Sequence, residues 1–299
     1  MRIIALFGPT GVGKTAVAVE IARQLRLRGE DPVAVSADAL QVYRGLETLT
    51  GAAGPPEMEQ LEHRLVSFLP VDELFSAGRY AELAHAEIDG LLQAGRRPIV
   101  VGGTGLYLRA ALADLELRPA PPEHVRERWE AAARSEGVPA LHARLAELAP
   151  WAAERIDPND STRVLRSLEL HELGRLERAE GPSQLWSGEL RRPTLLAGLT
   201  MERAALYAAI DARVDEMVAA GAAQEARSAA AAGASRTARM ALGFRELQGG
   251  DIEGMKRRTR NYARRQLTWM RKLAGVRVID VTGREPSAVA REILDSGDL

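Results

Sequence analysis

The chain has 299 residues, 46% of them hydrophobic, which is enough for one large or two modest cores and excludes global disorder or a collagen-like structure. Forty basic residues against forty-one acidic ones leave a net charge of −1, so the whole chain gives no argument for a polyanionic or membrane partner, although an average can hide a local patch. With no cysteine, disulfides, thiolate metal sites, iron–sulfur clusters and a cysteine nucleophile are excluded, and a reducing cytoplasm is the expected location.

The first hundred residues alternate strand-like and helix-like segments, the pattern of a parallel α/β sheet. Arg2 to Phe7 is an apolar run ending in Gly8, too short for a secretory signal, and no later run of about 18 apolar residues offers a membrane span. Residues 15 to 28 carry Val17, Ile21 and Leu25 at helical spacing. Val33 to Ser36 reads as a second buried strand ending just before Asp38, and Pro98 to Val101 as a third ending in Gly102-Gly103. Between them, Tyr80 to Leu92 has the spacing of a crossover helix, with Gly95 as its stop.

The proline cluster Arg118-Pro119-Ala120-Pro121-Pro122 marks a boundary. Beyond it only helices are predicted, at Glu123 to Arg134, at Ala140 to Leu148 and after Asp157-Pro158-Asn159-Asp160, so residues 116–190 read as an all-helical insertion into a core made of 1–115 and 191–299. Leu195 to Leu199 returns to strand, followed by helices over Glu202 to Ala220 and Gly254 to Ala274, a last strand at Val276 to Asp280 and a terminal helix. The five histidines lie scattered with no ligand spacing, and no histidine metal site is expected.

Gly8-Pro9-Thr10-Gly11-Val12-Gly13-Lys14-Thr15 fits G-x-x-x-x-G-K-[ST] and falls between a predicted strand and a predicted helix, the context the motif requires. Its glycines let backbone N–H groups wrap an anion, Lys14 adds a charge on the outer phosphate, and the Thr15 hydroxyl can ligate Mg²⁺. Only two other lysines, Lys256 and Lys272, occur among the forty basic residues. The acid that P-loop ATPases carry at the end of a second strand is absent after Val101 and present after Ser36, at Asp38. In a doubly wound sheet Asp38, Thr104 and the phosphate loop should face one another, where Asp38 either takes a proton from a nucleophile or caps its own turn.

Five blocks together resemble the tRNA dimethylallyltransferases, also called tRNA isopentenyltransferases: Gly8 to Thr15; Ser36-Ala37-Asp38-Ala39-Leu40-Gln41-Val42-Tyr43-Arg44-Gly45; Val101-Gly102-Gly103-Thr104-Gly105-Leu106-Tyr107; Asp157 to Asp160 with Arg163 and Arg166; and Ala263-Arg264-Arg265-Gln266-Leu267-Thr268-Trp269. The resemblance runs from Ile4 to about Asp280. It implies a P-loop NTPase-like parallel sheet flanked by helices, with the insertion gripping the anticodon stem-loop of tRNA. The implied reaction moves a dimethylallyl group from dimethylallyl diphosphate to the N6 amine of the adenosine beside the anticodon, releasing diphosphate, with Mg²⁺ as cofactor. It further implies Asp38 as general base, Thr104 at the reaction centre, and Arg213 on the diphosphate beside the phosphate loop. Implied tRNA contacts are Asp38, Ala39, Leu40, Gln41, Thr104, Arg126, Thr162, Arg163, Val164, Leu165, Arg166, Arg239, Met240, Ala241, Leu242, Gly243 and Phe244. Two departures from the family's commonest pattern stand out: Ala39 where a serine is usual, and Phe244 where a tyrosine is frequent.

Residues 236 to 275 carry eleven basic and three acidic side chains, a net of +8 that the global average conceals. With Tyr262 and Trp269 interleaved, the segment suits phosphate neutralisation and base stacking, or else forms a solvated face whose aromatics belong to the core. A cytoplasmic monomer without membrane contact is expected. A small-molecule kinase, a free adenine-nucleotide prenyltransferase and a nucleotide-dependent RNA-binding switch are the competing readings; the insertion and the basic segment argue against the second, and Asp38 at a strand end against the third.

Overall fold

In the computed structural model, which describes residues 1–178 and 184–295, strand and helix alternate as the apolar spacing predicts. The chain runs β1 (Ile3–Phe7), α1 (Lys14–Leu27), β2 (Pro32–Ser36), the short helices α2 (Glu47–Thr50) and α3 (Pro55–Gln60), β3 (His63–Arg64), α4 (Ala77–Gln93), β4 (Arg97–Gly102) and α5 (Gly105–Leu112). Helices α6 (Glu123–Glu136), α7 (Val138–Leu148), α8 (Pro150–Ala153) and α9 (Ser161–Glu172) follow. The chain then continues as β5 (Thr194–Thr200), α10 (Arg203–Ala219), α11 (Ala222–Ala231), α12 (Ile252–Met270), β6 (Arg277–Asp280) and α13 (Pro286–Asp295).

The six strands form one parallel sheet in the order β3-β2-β4-β1-β5-β6. Its centre is apolar on both faces because successive strand side chains point opposite ways. Ile3, Ala5 and Phe7 of β1 enter one core with Val33, Val35 and Val100, while Ile4 and Leu6 enter the other with Ala34, Ile99 and the buried face of α1. The order matters for function: β4 lies between β1 and β2, so the loop after β4 emerges between the phosphate loop and Asp38. The two-residue β3 carries no periodicity, and the sequence gives no sign of it; it pairs with Ala34 and Val35 of β2.

The chain divides into two compact units, Met1–Leu117 with Gln184–Leu299, and Arg118–Ser183. The second is a small helical unit whose core is Leu141, Leu145, Ala149, Ala152, Ala153, Val164 and Leu168. Asp160 starts α9 by accepting the Arg163 N–H at 3.1 Å, which is the physical content of the Asp-Pro-Asn-Asp signal. The sheet unit resumes earlier than the expected residue 191. Arg109 Nη2 donates to the carbonyls of Gln184 (2.9 Å) and Glu189 (3.3 Å), and Arg191 N–H donates to Leu112 O, so the stretch from Gln184 is tied to α5. Residues 179–183 of the expected insertion, and 296–299 of the expected core, lie outside the described residues. No described helix is long and apolar enough to cross a membrane.

Candidate active site

The phosphate loop connects β1 to α1, and its glycines do separate jobs. Gly11 (φ +82°) and Gly13 (φ +89°) take left-handed backbone that lets the chain curl and start α1, whose first N–H groups have no side-chain cap. Gly8 passes so close to β5 that a Cβ would meet Leu199 O at 2.9 Å. Lys14 Nζ donates to Gly8 O and Pro9 O, both at 2.9 Å, and so spans the loop. Burial and, next, the nearby Arg213 push its pKa down to about 7, against the opposing pull of Asp38.

Arg213, from α10, donates through Nη2 to Gly51 O at 3.1 Å, the carbonyl that also receives Gln41 Nε2 at 3.1 Å. Its Nε is buried with no hydrogen-bond partner, and burial lowers its pKa. A desolvated guanidinium with an orphaned N–H beside a phosphate loop fits an anionic oxygen.

The two readings of Asp38 use different oxygens. Oδ1 accepts the N–H groups of Leu40 (2.9 Å) and Gln41 (3.4 Å) and so caps the turn after β2, while Oδ2 accepts from Thr104 Oγ1 at 3.4 Å. Thr104 Oγ1 also lies 3.2 Å from the Tyr262 hydroxyl. Burial, reinforced by Asp38, raises the Tyr262 pKa to about 12, so this phenol keeps its proton.

The Gly-Gly-Thr-Gly turn after β4 is explained by close approach. A Cβ on Gly102 would sit 2.2 Å from Ala37 O, on Gly103 2.3 Å from Gln266 Nε2, and on Gly105 2.3 Å from the Trp269 ring. Because the obstacle at Gly102 is backbone, Gly102→Ala should cost about 2–3 kcal/mol in unfolding free energy by urea titration. By contrast Gly90→Ala, in the open on α4, should add about 0.5–1 kcal/mol.

Lys14, Arg213, Asp38, Thr104 and Tyr262 line one cleft of about 420 Å³. Of the sequence-predicted residues, Thr10, Gly11, Gly13, Lys14, Thr15, Asp38, Ala39, Leu40, Gln41, Thr104, Arg213, Met240 and Leu242 are on its walls. Its apolar lining includes Leu49, Ile210, Val214, Met217 and Met255, and with Tyr262, Arg265 and Gln266 these were not expected there from the sequence. Among the described residues no group of three or more His, Asp or Glu side chains could hold a metal ion. The Thr15 hydroxyl, next to Lys14 on the cleft wall, suits a magnesium held mainly by ligand phosphates and water.

Other expected contacts are spent inside the protein. Val164, Ala241 and Phe244 are buried, so their side chains shape the surface from beneath it. Arg126 and Arg166 both bind the buried Glu169, at 2.8 and 3.4 Å. Arg239 donates to Ala234 O and lies over the Phe244 ring, whereas Thr162 and Arg163 are exposed.

The basic segment splits by face. On α12, Lys256 pairs with Asp215 and Glu253, Arg258 with Glu246, and Arg260 with Asp211. Arg257, Arg264, Arg265 and Arg271 are exposed and have no carboxylate partner among the described residues. Both aromatics turn inward: Tyr262 to Thr104, and Trp269 against Gly105 and Trp186 (ring centroids 4.6 Å).

A sequence profile described as IPP transferase matches residues 41–273. That match begins after the phosphate loop and Asp38, so it does not depend on them. A tRNA dimethylallyltransferase of Anaeromyxobacter dehalogenans strain 2CP-C is 43% identical, with 98% of this chain and 99% of the relative aligned. One from Geobacillus thermodenitrificans is 38% identical over 97% of this chain and 94% of its own length. The crystal structure of a full-length tRNA isopentenylpyrophosphate transferase from Bacillus halodurans superposes with a TM-score of 0.70 at 34% identity, covering 98% of this chain and 94% of that one. With the parallel sheet and phosphate loop of a P-loop NTPase-like fold, and with relatives aligned from end to end, the chain belongs to the IPP transferase family.

Proposed function

We propose that the chain transfers the dimethylallyl group of dimethylallyl diphosphate to the N6 amine of the adenosine beside a tRNA anticodon, releasing diphosphate. One observation carries this reading: Lys14, Arg213, Asp38 and Thr104 line one cleft, with Thr104 Oγ1 on Asp38 Oδ2. The loop N–H groups, Lys14 and Arg213 hold the leaving diphosphate and neutralise the charge that grows as its C–O bond breaks. The electron pair of that bond leaves on the diphosphate oxygen, the adenine nitrogen bonds to the allylic carbon, and Asp38 takes the proton that the amine sheds. Mg²⁺ held at the Thr15 hydroxyl would add charge neutralisation on the diphosphate. Thr104 hydrogen-bonds either the incoming base or the diphosphate.

A stacked loop base cannot reach such a cleft, so the adenosine is flipped into it. We assign the outer face of α12 to the tRNA backbone, and to the helical unit, through the exposed Thr162 and Arg163 at the start of α9, the grip on the anticodon stem-loop. A monomer acting in the cytoplasm suffices, because one chain carries every group invoked. Incubation with Mg²⁺, dimethylallyl diphosphate and unmodified tRNA should yield a prenylated adenosine, seen as a mass increase of the nucleoside, together with free diphosphate. Transfer of phosphate from ATP to a small alcohol, with no nucleoside product, would overturn the reading.

The unpaired arginines give a separate expectation. Replacing Arg257 and Arg264 together by alanine should raise the KM for tRNA about tenfold and flatten its salt dependence by about one to two counterions, with kcat nearly unchanged.

A further inference from the structure

Transfer in this cleft needs two loops held at one separation: the phosphate loop with the leaving group, and the β4–α5 loop with Thr104. Strands β1 and β4 are in register only as far as Phe7 and Gly102, so sheet pairing does not fix what lies beyond. Gln266 of α12 spans the gap. Its Oε1 accepts the Thr10 N–H at 2.9 Å, its Nε2 donates to Gly103 O at 2.7 Å, and the residue is 4% exposed. The amide has one sensible orientation, since only oxygen can accept from Thr10 and only nitrogen can donate to Gly103. Gly103 has no room for a Cβ because Gln266 Nε2 occupies that space at 2.3 Å.

One turn earlier on the same helix face, Tyr262 reaches Thr104. Thr104 has a single hydroxyl proton, and without substrate it is directed to Asp38 Oδ2; the Tyr262 hydroxyl is then the donor of the 3.2 Å contact. Tyr262, Thr104 and Asp38 form one directed chain, anchored on the helix that also carries Gln266.

We propose that Gln266, with Tyr262, is a positioning element that locks the phosphate loop to the Thr104 loop at the separation the transfer requires. The proposal rests on the reading of the cleft as a prenyl-transfer site. Thr10 N–H is committed to Gln266 and Val12 N–H to Pro9 O, so Gln266 acts through the loop and leaves to the diphosphate the loop amides not bonded within the protein. A misplacement of about 1 Å between reacting groups can cost about a hundredfold in rate without a matching loss of binding.

The test is steady-state kinetics with tRNA, dimethylallyl diphosphate and Mg²⁺, with folded protein quantified by diphosphate binding. Gln266→Leu removes both bonds at similar volume, and kcat per binding site should fall about ten- to a hundredfold while the KM for tRNA stays within about threefold. A purely structural side chain would lower the melting temperature and leave kcat per binding site unchanged, and that result would overturn the proposal. Tyr262→Phe removes one hydroxyl, keeps the ring, and decides the matter if Gln266→Leu does not fold. It should lower kcat about three- to tenfold in the wild-type background and less than about twofold in Thr104→Val. An equal loss in both backgrounds rejects the directed chain. A wild-type protein that forms no prenylated adenosine defeats the functional reading and this proposal with it, an outcome distinct from active wild type with unimpaired variants.

Discussion

Asp38→Asn should lower kcat for dimethylallyl transfer by about a hundredfold to ten-thousandfold and leave diphosphate affinity within about threefold of wild type. The two oxygens explain the separation. An asparagine oxygen in the Oδ1 position still accepts the N–H groups of Leu40 and Gln41, so the turn after β2 keeps its shape. The amide nitrogen in place of Oδ2 can face Thr104 by reversing the direction of that hydrogen bond, but it cannot take a proton from the amine. Single-turnover rates at saturating tRNA, set beside calorimetric titration with pyrophosphate, measure the two quantities independently. Parallel loss of both would mean that Asp38 helps to hold the diphosphate, and its assignment as base would fail.

The legible parts of the site are those whose constraints are local in the chain. Gly11, Gly13 and Lys14 sit within a few residues of one another, and left-handed backbone followed by a helix start writes itself into eight consecutive positions. Asp38 and Thr104 were legible one step further out, because each follows a strand and adjacent parallel strands bring their ends together. Tyr262 and Gln266 were not, since their roles arise from contacts 158 residues away to Thr104 and 163 residues away to Gly103, and no periodicity encodes a tertiary pairing. The three glycines of the β4–α5 turn were visible as a motif, but the reason for each is a neighbour that only packing supplies: Ala37 O, Gln266 and Trp269.

The basic segment shows a different limit. Its net of +8 is a property of composition, whereas binding depends on charge left unpaired. Asp211 and Asp215, which neutralise Arg260 and Lys256, belong to α10 and lie outside the counted residues. The inward turn of Tyr262 and Trp269 follows from the same helix geometry, with the arginines of the opposite face left to solvent. A sum along the sequence therefore overstated the free charge and could not say which side of α12 carried it.

Lys14→Met should weaken diphosphate binding by about a hundredfold and lower kcat/KM by about a thousandfold, because it removes a charge that acts on the bound diphosphate and again on the departing one. The wild-type lysine adds a pH signature that methionine lacks. With burial and Arg213 holding its pKa near 7, Lys14 loses its proton as pH rises above that value in the free protein. Bound diphosphate favours the ammonium and raises that pKa, so binding takes up a proton between the two values. The association constant should be level below about pH 7 and fall above it, by up to about tenfold per pH unit. Calorimetry in two buffers of different ionisation enthalpy should then register uptake approaching about one proton at about pH 8, and Lys14→Met should register none beyond the ligand's own titration. Proton release on binding, or affinity that rises through the same window, would show that the ammonium is not the form that holds the diphosphate.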